Sequence, residues 1–290
     1  MKNLDLSTLP AKKRKQIVSC LRAGIQLLYF LFLPSVFTAA FNGVKYIFTQ
    51  LGQGEKIEMT AFVSALLLVC AFTIVFGRFF CGFACAFGSL GDAMHAIYGI
   101  ICKKRKKKPI RIKPELAKKL ALVKYGILLL IALCCFAGVY QKARGTSPWD
   151  VFSMLHAGNF RLSSYIPGIV LLVLILAGMF FEERFFCHFL CPMGAVFSLL
   201  PILPFFTLHR KRENCIRGCS ACTRQCPSAV ELSSDGSVEI SGDCFQCQKC
   251  IDTCPKGNIR CGVKEFHGNE ILFTLFRAVF LLTLLLWAGI

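Results

Sequence analysis

The chain has 290 residues, 55% of them hydrophobic, and a mean hydropathy of +0.59, which excludes an ordinary soluble domain. Its net charge of +18 would suit a nucleic-acid binder. The basic residues gather beside apolar runs, however, where membrane topology and anionic lipid place them, so membrane lipid and not nucleic acid is the expected partner.

Five apolar runs have about the length needed to cross a bilayer, at residues 17–41, 60–77, 120–140, 165–181 and 271–290. The first follows Lys12, Lys13, Arg14 and Lys15 and is longer than the apolar core of a signal sequence, so it reads as an uncleaved anchor. Residues 102–119 carry ten Lys and Arg against one acid, Glu115. The two basic clusters place the N-terminus and this loop on the cytoplasmic side, and the weakly charged loops 42–59 and 141–164 outside.

Two stretches read alike. "RFFCGFACAFG" (78–88) and "RFFCHFLCPMG" (184–194) match at seven of eleven positions. Each half of the membrane part then reads as basic segment, outward span, external loop, inward span and motif. Both halves begin inside, so they are expected to be parallel repeats about an axis along the membrane normal. In a helix, cysteines four apart share a face, so Cys81 and Cys85 are expected to meet Cys187 and Cys191 across that axis. Three uses remain open for these thiols: ligands of a cluster or another metal, a dithiol–disulfide pair, or small apolar packing. Arg78 and Arg184 stand at the same offset before each pair. Either they snorkel to lipid phosphate or they hold an anionic group and offset thiolate charge. His188 is an accessory proton carrier or ligand in one half alone, since Gly82 replaces it in the other.

From residue 209 to 269 the chain turns polar and holds nine cysteines. Eight fall in two runs, "CIRGCSACTRQCP" and "CFQCQKCIDTCP". The second has the C-x2-C-x2-C-x3-C-P spacing of bacterial ferredoxins, and the first has one extra residue after its first cysteine. Thiolates are soft anionic ligands suited to iron–sulfur clusters. In such runs three cysteines wrap one cubane and the fourth crosses to the other. Cys215, Cys219, Cys222 and Cys254 are therefore expected to hold one [4Fe–4S] cluster, and Cys244, Cys247, Cys250 and Cys226 a second. Zinc sites usually use two Cys-x2-Cys pairs, not two four-cysteine runs each ending in Pro, and disulfides do not suit the cytoplasmic side. The last run, 271–290, contains Arg277 and reads as a fifth span, with an interfacial helix as the alternative. Cys20, Cys70, Cys102, Cys134, Cys135 and Cys261 have no spacing partner and read as packing.

Paired Cys-x3-Cys motifs on a four-span core, followed by a twin-cluster domain, resemble the NapH/NosR-type membrane polyferredoxin family, which includes CcoG-type proteins. The resemblance extends to about residue 261; the proline that usually follows each pair stands here only as Pro192. It implies electron movement between quinol, the clusters and a redox partner, external or within the membrane and carrying flavin, haem or metal. No flavin-binding segment like that of NosR-like members is read here, so a flavin would come from the partner. The outer loop offers Trp149, Asp150 and His156, read either as a turn with an aromatic anchor or as a surface meeting a partner or quinone head group.

The expected fold is mainly α. A polytopic membrane bundle of two parallel repeats (1–208) precedes an α+β domain with two [4Fe–4S] clusters (209–269) and a fifth helix (270–290). The expected place is the cytoplasmic membrane, with the N-terminus and ferredoxin domain inside. The expected function is electron transfer between quinone and a partner. A metal- or thiol-reducing assembly factor and a non-redox scaffold or sensor are the alternatives.

Overall fold

The computed structural model describes residues 11–107, 109–110, 112–140, 145–160, 163–203, 207–210, 215–230, 232, 238–239, 241–262 and 270–289. Lys108 and Arg111 of the basic loop, parts of the outer loop and His267 lie outside the described residues, as do the side chains of Lys12, Arg14 and His209.

The first apolar run does not fold as one helix. α1 (Ala11–Phe32) stops just before Pro34, which has no N–H for the helical ladder and disfavours helical backbone at Leu33. α2 (Val36–Gln53) leaves at 62° to the described part of α1. It lies along α3 (Ala61–Phe76) so closely that a Cβ on Gly43 would come 2.4 Å from the Phe62 carbonyl oxygen. Thr60 caps α3 by accepting from the Val63 N–H, and Gly77, at φ 67°, ends it.

After the first motif come α4 (Ala86–Lys104), α5 (Pro114–Leu120) and α6 (Val123–Phe136). α7 (Pro148–His156) is capped by Ser147, and α8 (Ile166–Phe181) leads into the second motif and α9 (Pro192–Leu199). A cluster of rings fills the centre: Phe87 lies 5.5 Å from Phe37, 4.6 Å from Phe152 and 5.1 Å from Phe186.

Among the described residues, three helices, Glu115–Phe136, Ser163–Phe181 and Glu270–Trp287, are long and apolar enough to cross a membrane. The bent pair α1–α2 qualifies only when taken together, and α3, where the second span was expected, has 16 residues. That is about 24 Å of helix, short of the bilayer's hydrocarbon core. Leu27, Leu31, Leu67, Leu129, Leu130, Leu133, Val173 and Leu174 face outward and are half or more exposed. So much uncovered aliphatic surface calls for lipid.

The polar part is built on a small antiparallel sheet. β1 (Thr207–Arg210) lies between β2 (Val238–Glu239) and β3 (Ile259–Gly262), with Leu208 opposite Cys261. Two short helices, α10 (Ala221–Gln225) and α11 (Lys249–Thr253), pack together over a core of Leu208, Cys222, Cys244, Ile251, Cys254, Ile259 and Cys261. Cysteines outnumber aliphatic residues in that core, so its stability depends on what the cysteines bind. α12 (Glu270–Trp287) then docks back on the bundle, where the Tyr29 hydroxyl donates to the Ala278 carbonyl at 2.7 Å.

Glycines give a direct check of this packing. Gly43→Val drives a side chain into the Phe62 carbonyl and is expected to cost about 1–3 kcal/mol in thermal unfolding of the detergent-solubilised protein. Gly24→Ala, in α1 with nothing within 4 Å of its Cβ, is expected to be neutral or to stabilise by up to about 1 kcal/mol.

Candidate iron–sulfur centres

Each Cys-x3-Cys motif folds as one π-helical turn, Phe80–Ala84 and Phe186–Leu190. The Cys85 N–H bonds the Phe80 carbonyl and the Cys191 N–H the Phe186 carbonyl, both at 2.8 Å. The second cysteine of each pair has extended backbone and caps the next helix, Cys85 for α4 and Cys191 for α9. The shared face of one α-helix, expected from the spacing, is therefore replaced by a turn with one cysteine inside it and one beyond it. Cys191 Sγ accepts from the Gly194 N–H at 3.2 Å, whereas Cys85, at the start of α4, makes no side-chain cap bond. A helix N-terminus favours negative charge on such a sulfur. Pro192 is the first residue of α9, where a missing N–H costs nothing; Ala86 fills that place in α4.

The two turns bring all four thiols together. Cys81, Cys85, Cys187 and Cys191 are 5–7% exposed. Cys191 lies within electrostatic reach of Cys187, Cys81 and Cys85, and Cys187 within reach of Cys81.

The arginines do not snorkel; each is 1% exposed. Arg184 donates from Nε and Nη2 to Asp92 at 2.9 and 2.6 Å, from Nη2 to the Gly82 carbonyl at 3.0 Å, and from Nη1 to the Cys81 carbonyl. Its backbone sits at φ 59°, a left-handed conformation that costs about 1–3 kcal/mol in a non-glycine residue. Burial would raise the Asp92 pKa, but the Arg184 and Lys249 charges hold it below the usual carboxylate range. Arg78 donates from Nη1 to the Gly242 carbonyl at 2.9 Å and lies 3.6 Å from Asp243. Its Nε and Nη2 are buried without a hydrogen-bond partner among the described residues.

The arginines are exchanged between the motifs. A Cβ on Gly88, at the end of the first motif, would lie 2.4 Å from Arg184 Nη1, and one on Gly194, at the end of the second, 2.9 Å from Arg78 Nη2. Each terminal glycine thus makes room for the arginine that opens the other motif. The sequence signal was the Gly retained at the last position of both motifs, which a reading centred on cysteine passed over.

The second ferredoxin-like block is seated on this assembly. The Phe245 ring lies under both guanidiniums, 4.8 Å from Arg78 and 5.9 Å from Arg184. A Cβ on Gly82 would lie 2.4 Å from the Phe245 carbonyl oxygen and 3.5 Å from Cys247 Cα. From α1, Arg22 donates to the Cys247 carbonyl at 3.0 Å.

Cys244, Cys247 and Cys250 of that block line one narrow space together with Cys222 and Cys226 of the first run. Burial first, and the neighbouring Cys247, Cys244 and Cys226 next, push the Cys250 thiol well above its ordinary pKa; burial and Cys226 push Cys247 up to about 11. In the other set, the Asn258 N–H donates to Cys254 Sγ at 3.3 Å and its side-chain amide to Cys215 Sγ at 3.8 Å, which joins the two ends of the set. Cys222 receives Arg210 Nη1 at 3.4 Å, and Cys219 is exposed before α10. Among the described residues, no three Cys, His, Asp or Glu side chains converge tightly enough for one metal ion. A cubane takes one thiolate at each of four separated irons, and Cys226, Cys244, Cys247 and Cys250 around one space are soft donors of the kind it needs.

The accessory residues divide. His188 is buried, stacked on Phe189 at 4.4 Å and edge-on to Phe245, and burial followed by the Lys124 charge pushes its pKa down to about 4. Trp149 stacks on Phe41 at 5.3 Å and points its edge at Phe186. His156 is exposed and bonds the Phe30 carbonyl at 3.0 Å, while the Asp150 N–H bonds Ser147. One feature was not read from the sequence. A groove of about 620 Å³ runs between α1 and α4, lined by Arg22, Gln26, Phe30, Asp92, Glu183 and Lys249. Lys249 pairs with Glu183 and lies 3.7 Å from Asp92. The adjacent acids Glu182 and Glu183 at the end of an apolar run were its only sequence signal.

A family described as a 4Fe-4S binding domain matches residues 59–109 and 166–207, the two stretches that contain the paired motifs. An uncharacterized protein of Methanocaldococcus jannaschii is 26% identical over 244 residues, 83% of this chain and 93% of its own length. The ferredoxin-type protein NapH of Haemophilus influenzae is 24% identical over 72% of this chain and 70% of its own length. The methylamine utilization ferredoxin-type protein MauN of Paracoccus denitrificans is 29% identical over 66% of this chain and 64% of its own. No solved structure matches the chain.

The contrast between the arginines predicts unequal variants. Arg184→Met removes both bonds to the buried Asp92, leaving it Gln26 and Lys249, and frees the Cys81 and Gly82 carbonyls; it is expected to cost about 3 kcal/mol in thermal unfolding. Arg78→Met leaves only Asp243, which is 42% exposed, and is expected to cost less than half as much. Equal losses would contradict the assigned bonds.

Proposed function

We propose, from the NapH/NosR-type membrane ferredoxin family to which this chain belongs, that it passes electrons between a quinol pool and a redox partner protein. The iron–sulfur path consists of Cys215, Cys219, Cys222 and Cys254 around one [4Fe–4S] cluster, Cys244, Cys247, Cys250 and Cys226 around a second, and Cys81, Cys85, Cys187 and Cys191 around a third. The observation that carries this reading is the seat of Phe245–Cys247 on the first motif, beside four buried thiols flanked by two buried guanidiniums. Arg184 already has Asp92 as a buried anion, but Arg78 has only the half-exposed Asp243 at 3.6 Å, and a thiolate-bound cluster would supply a closer negative charge. Unpartnered donors on Arg78 support the same charge.

Bound clusters supply one-electron steps; the chain's own residues do the rest. The ring cluster around Phe87 and Phe186 excludes water from the motif thiols. Arg78 and Arg184 fix the relative position of the two turns and offset thiolate charge. In this reading the chain divides at residues 208 and 269, the two motif halves are parallel repeats, and the basic loops keep the ferredoxin-like part cytoplasmic.

The α1–α4 groove suits the quinol head better than the outer loop does. Trp149 is committed to Phe41, and His156 to the Phe30 carbonyl. The groove instead joins an apolar wall, Leu27 and Phe30, to the polar Gln26, Glu183 and Lys249. Lys249 also belongs to the second cysteine block, next to Cys250, so the groove floor adjoins the residues that would hold the receiving cluster. The external partner then takes the electrons onward through flavin, haem or metal of its own.

In membranes under anaerobic conditions, a short-chain quinol is expected to reduce the clusters, read by electron paramagnetic resonance. Glu183→Gln is expected to slow that reduction at least tenfold with the cluster signals intact. If quinol leaves fully assembled clusters oxidised, the quinol reading is wrong.

A further inference from the structure

Arg277 is the third large buried cation, and the electron path described above does not use it. It sits in the middle of α12 and is 0% exposed. Its Nη2 donates to Cys261 Sγ at 3.5 Å, and its guanidinium lies 4.6 Å from the Phe79 ring. Nε and Nη1 have no hydrogen-bond partner, and no carboxylate pairs with it among the described residues. A buried guanidinium left this way is costly. An apolar helix that retains one has a negative charge for it to face.

Cys261 points to that charge. It lies in β3, 4% exposed, within electrostatic reach of Cys250 and with its thiol 3.8 Å from the Gln246 side-chain oxygen. Gln246 stands between Cys244 and Cys247 in the second block. A second tie holds the same helix to the same block, because the Gln248 amide donates to Thr274 Oγ1 at 2.9 Å. α12 is thus fastened to the second block by Thr274 and, about one turn on, to Cys261 of β3, which itself bonds Gln246 of that block, so its one cation faces the block through Cys261.

We infer that Arg277 is a positioning residue that sets the reduction potential of the second cluster, its fixed charge favouring the reduced, more negative state. Net charge and hydrogen bonds to sulfur are established determinants of cluster potential. The inference rests on assignment of Cys244, Cys247, Cys250 and Cys226 to a cluster, but not on quinol as the donor. α12 would then do more than anchor the chain, since its docking would make the second cluster a better electron acceptor than its ligands alone.

The test is a redox titration of the purified full chain, followed by electron paramagnetic resonance. The transition belonging to the second block is the one that Cys247→Ser removes or alters. Arg277→Gln is expected to shift that transition toward harder reduction by at least tenfold in the equilibrium, about 59 mV for one electron, with the other transitions unmoved. Arg277→Lys is expected to hold it within about a threefold change. Cys261→Asp places a carboxylate against the guanidinium and is expected to shift the same transition in the same direction. This variant leaves Arg277 in place, so it tests the charge even if Arg277→Gln does not assemble. An unmoved second transition with assembled clusters in either charge-altering variant overturns the inference, as does an equal shift of all transitions. If the cluster count shows no second cluster, the underlying ligand assignment has failed instead.

Discussion

Two buried guanidiniums, each crossing from its own motif to the other, are the constraint on which the rest depends. Arg184 reaches Asp92 and the Cys81 and Gly82 carbonyls, and Arg78 reaches Gly242 beside Asp243. A charge this deep is tolerated only when it is bonded or faces an opposite charge. The π-turns, the glycines at 88 and 194, and the left-handed backbone at Arg184 all accommodate those two side chains. The same bonds lock the turns together and so fix where the four thiols lie.

The arginines also join the two halves of the chemistry. Phe245 lies under both guanidiniums, and the carbonyls around Gly82 serve the membrane motif while Gly82 itself leaves room for the second cysteine block. Backbone-to-backbone contact at Gly82 and Phe245 fixes the second cysteine block on the first motif, and Lys124 on Asp243 and Arg22 on the Cys247 carbonyl reinforce it. The block is docked by the segment that carries Cys244 and Cys247, not by a remote face.

Much of this was legible in the sequence. Cysteine spacing announced two cysteine runs, and the structure places Cys226 beside Cys244, Cys247 and Cys250, together with Cys222, which the spacing put in the other set. The repeated motif announced that Cys81, Cys85, Cys187 and Cys191 belong together. Hydropathy located the apolar segments but not their breaks: Pro34 splits the first run, and α3 is shorter than the run suggested. The cysteine pairs were expected on an α-helix because a spacing of four fits one; a π-turn followed by a helix cap fits it too, and spacing alone does not separate them. Least legible were long-range polar contacts. Arg277 on Cys261, and Lys249 between Asp92 and Glu183, join residues far apart in sequence, and no local pattern encodes such pairs.

The central claim is that the four motif thiols hold a cluster of their own between the two arginines. Iron and acid-labile sulfide, counted per chain in anaerobically purified protein, test it most directly. About twelve of each is the expected result, four for each of three cubanes. A count of about eight in protein whose ferredoxin-like sites are full would contradict the claim and leave the motif cysteines as thiols.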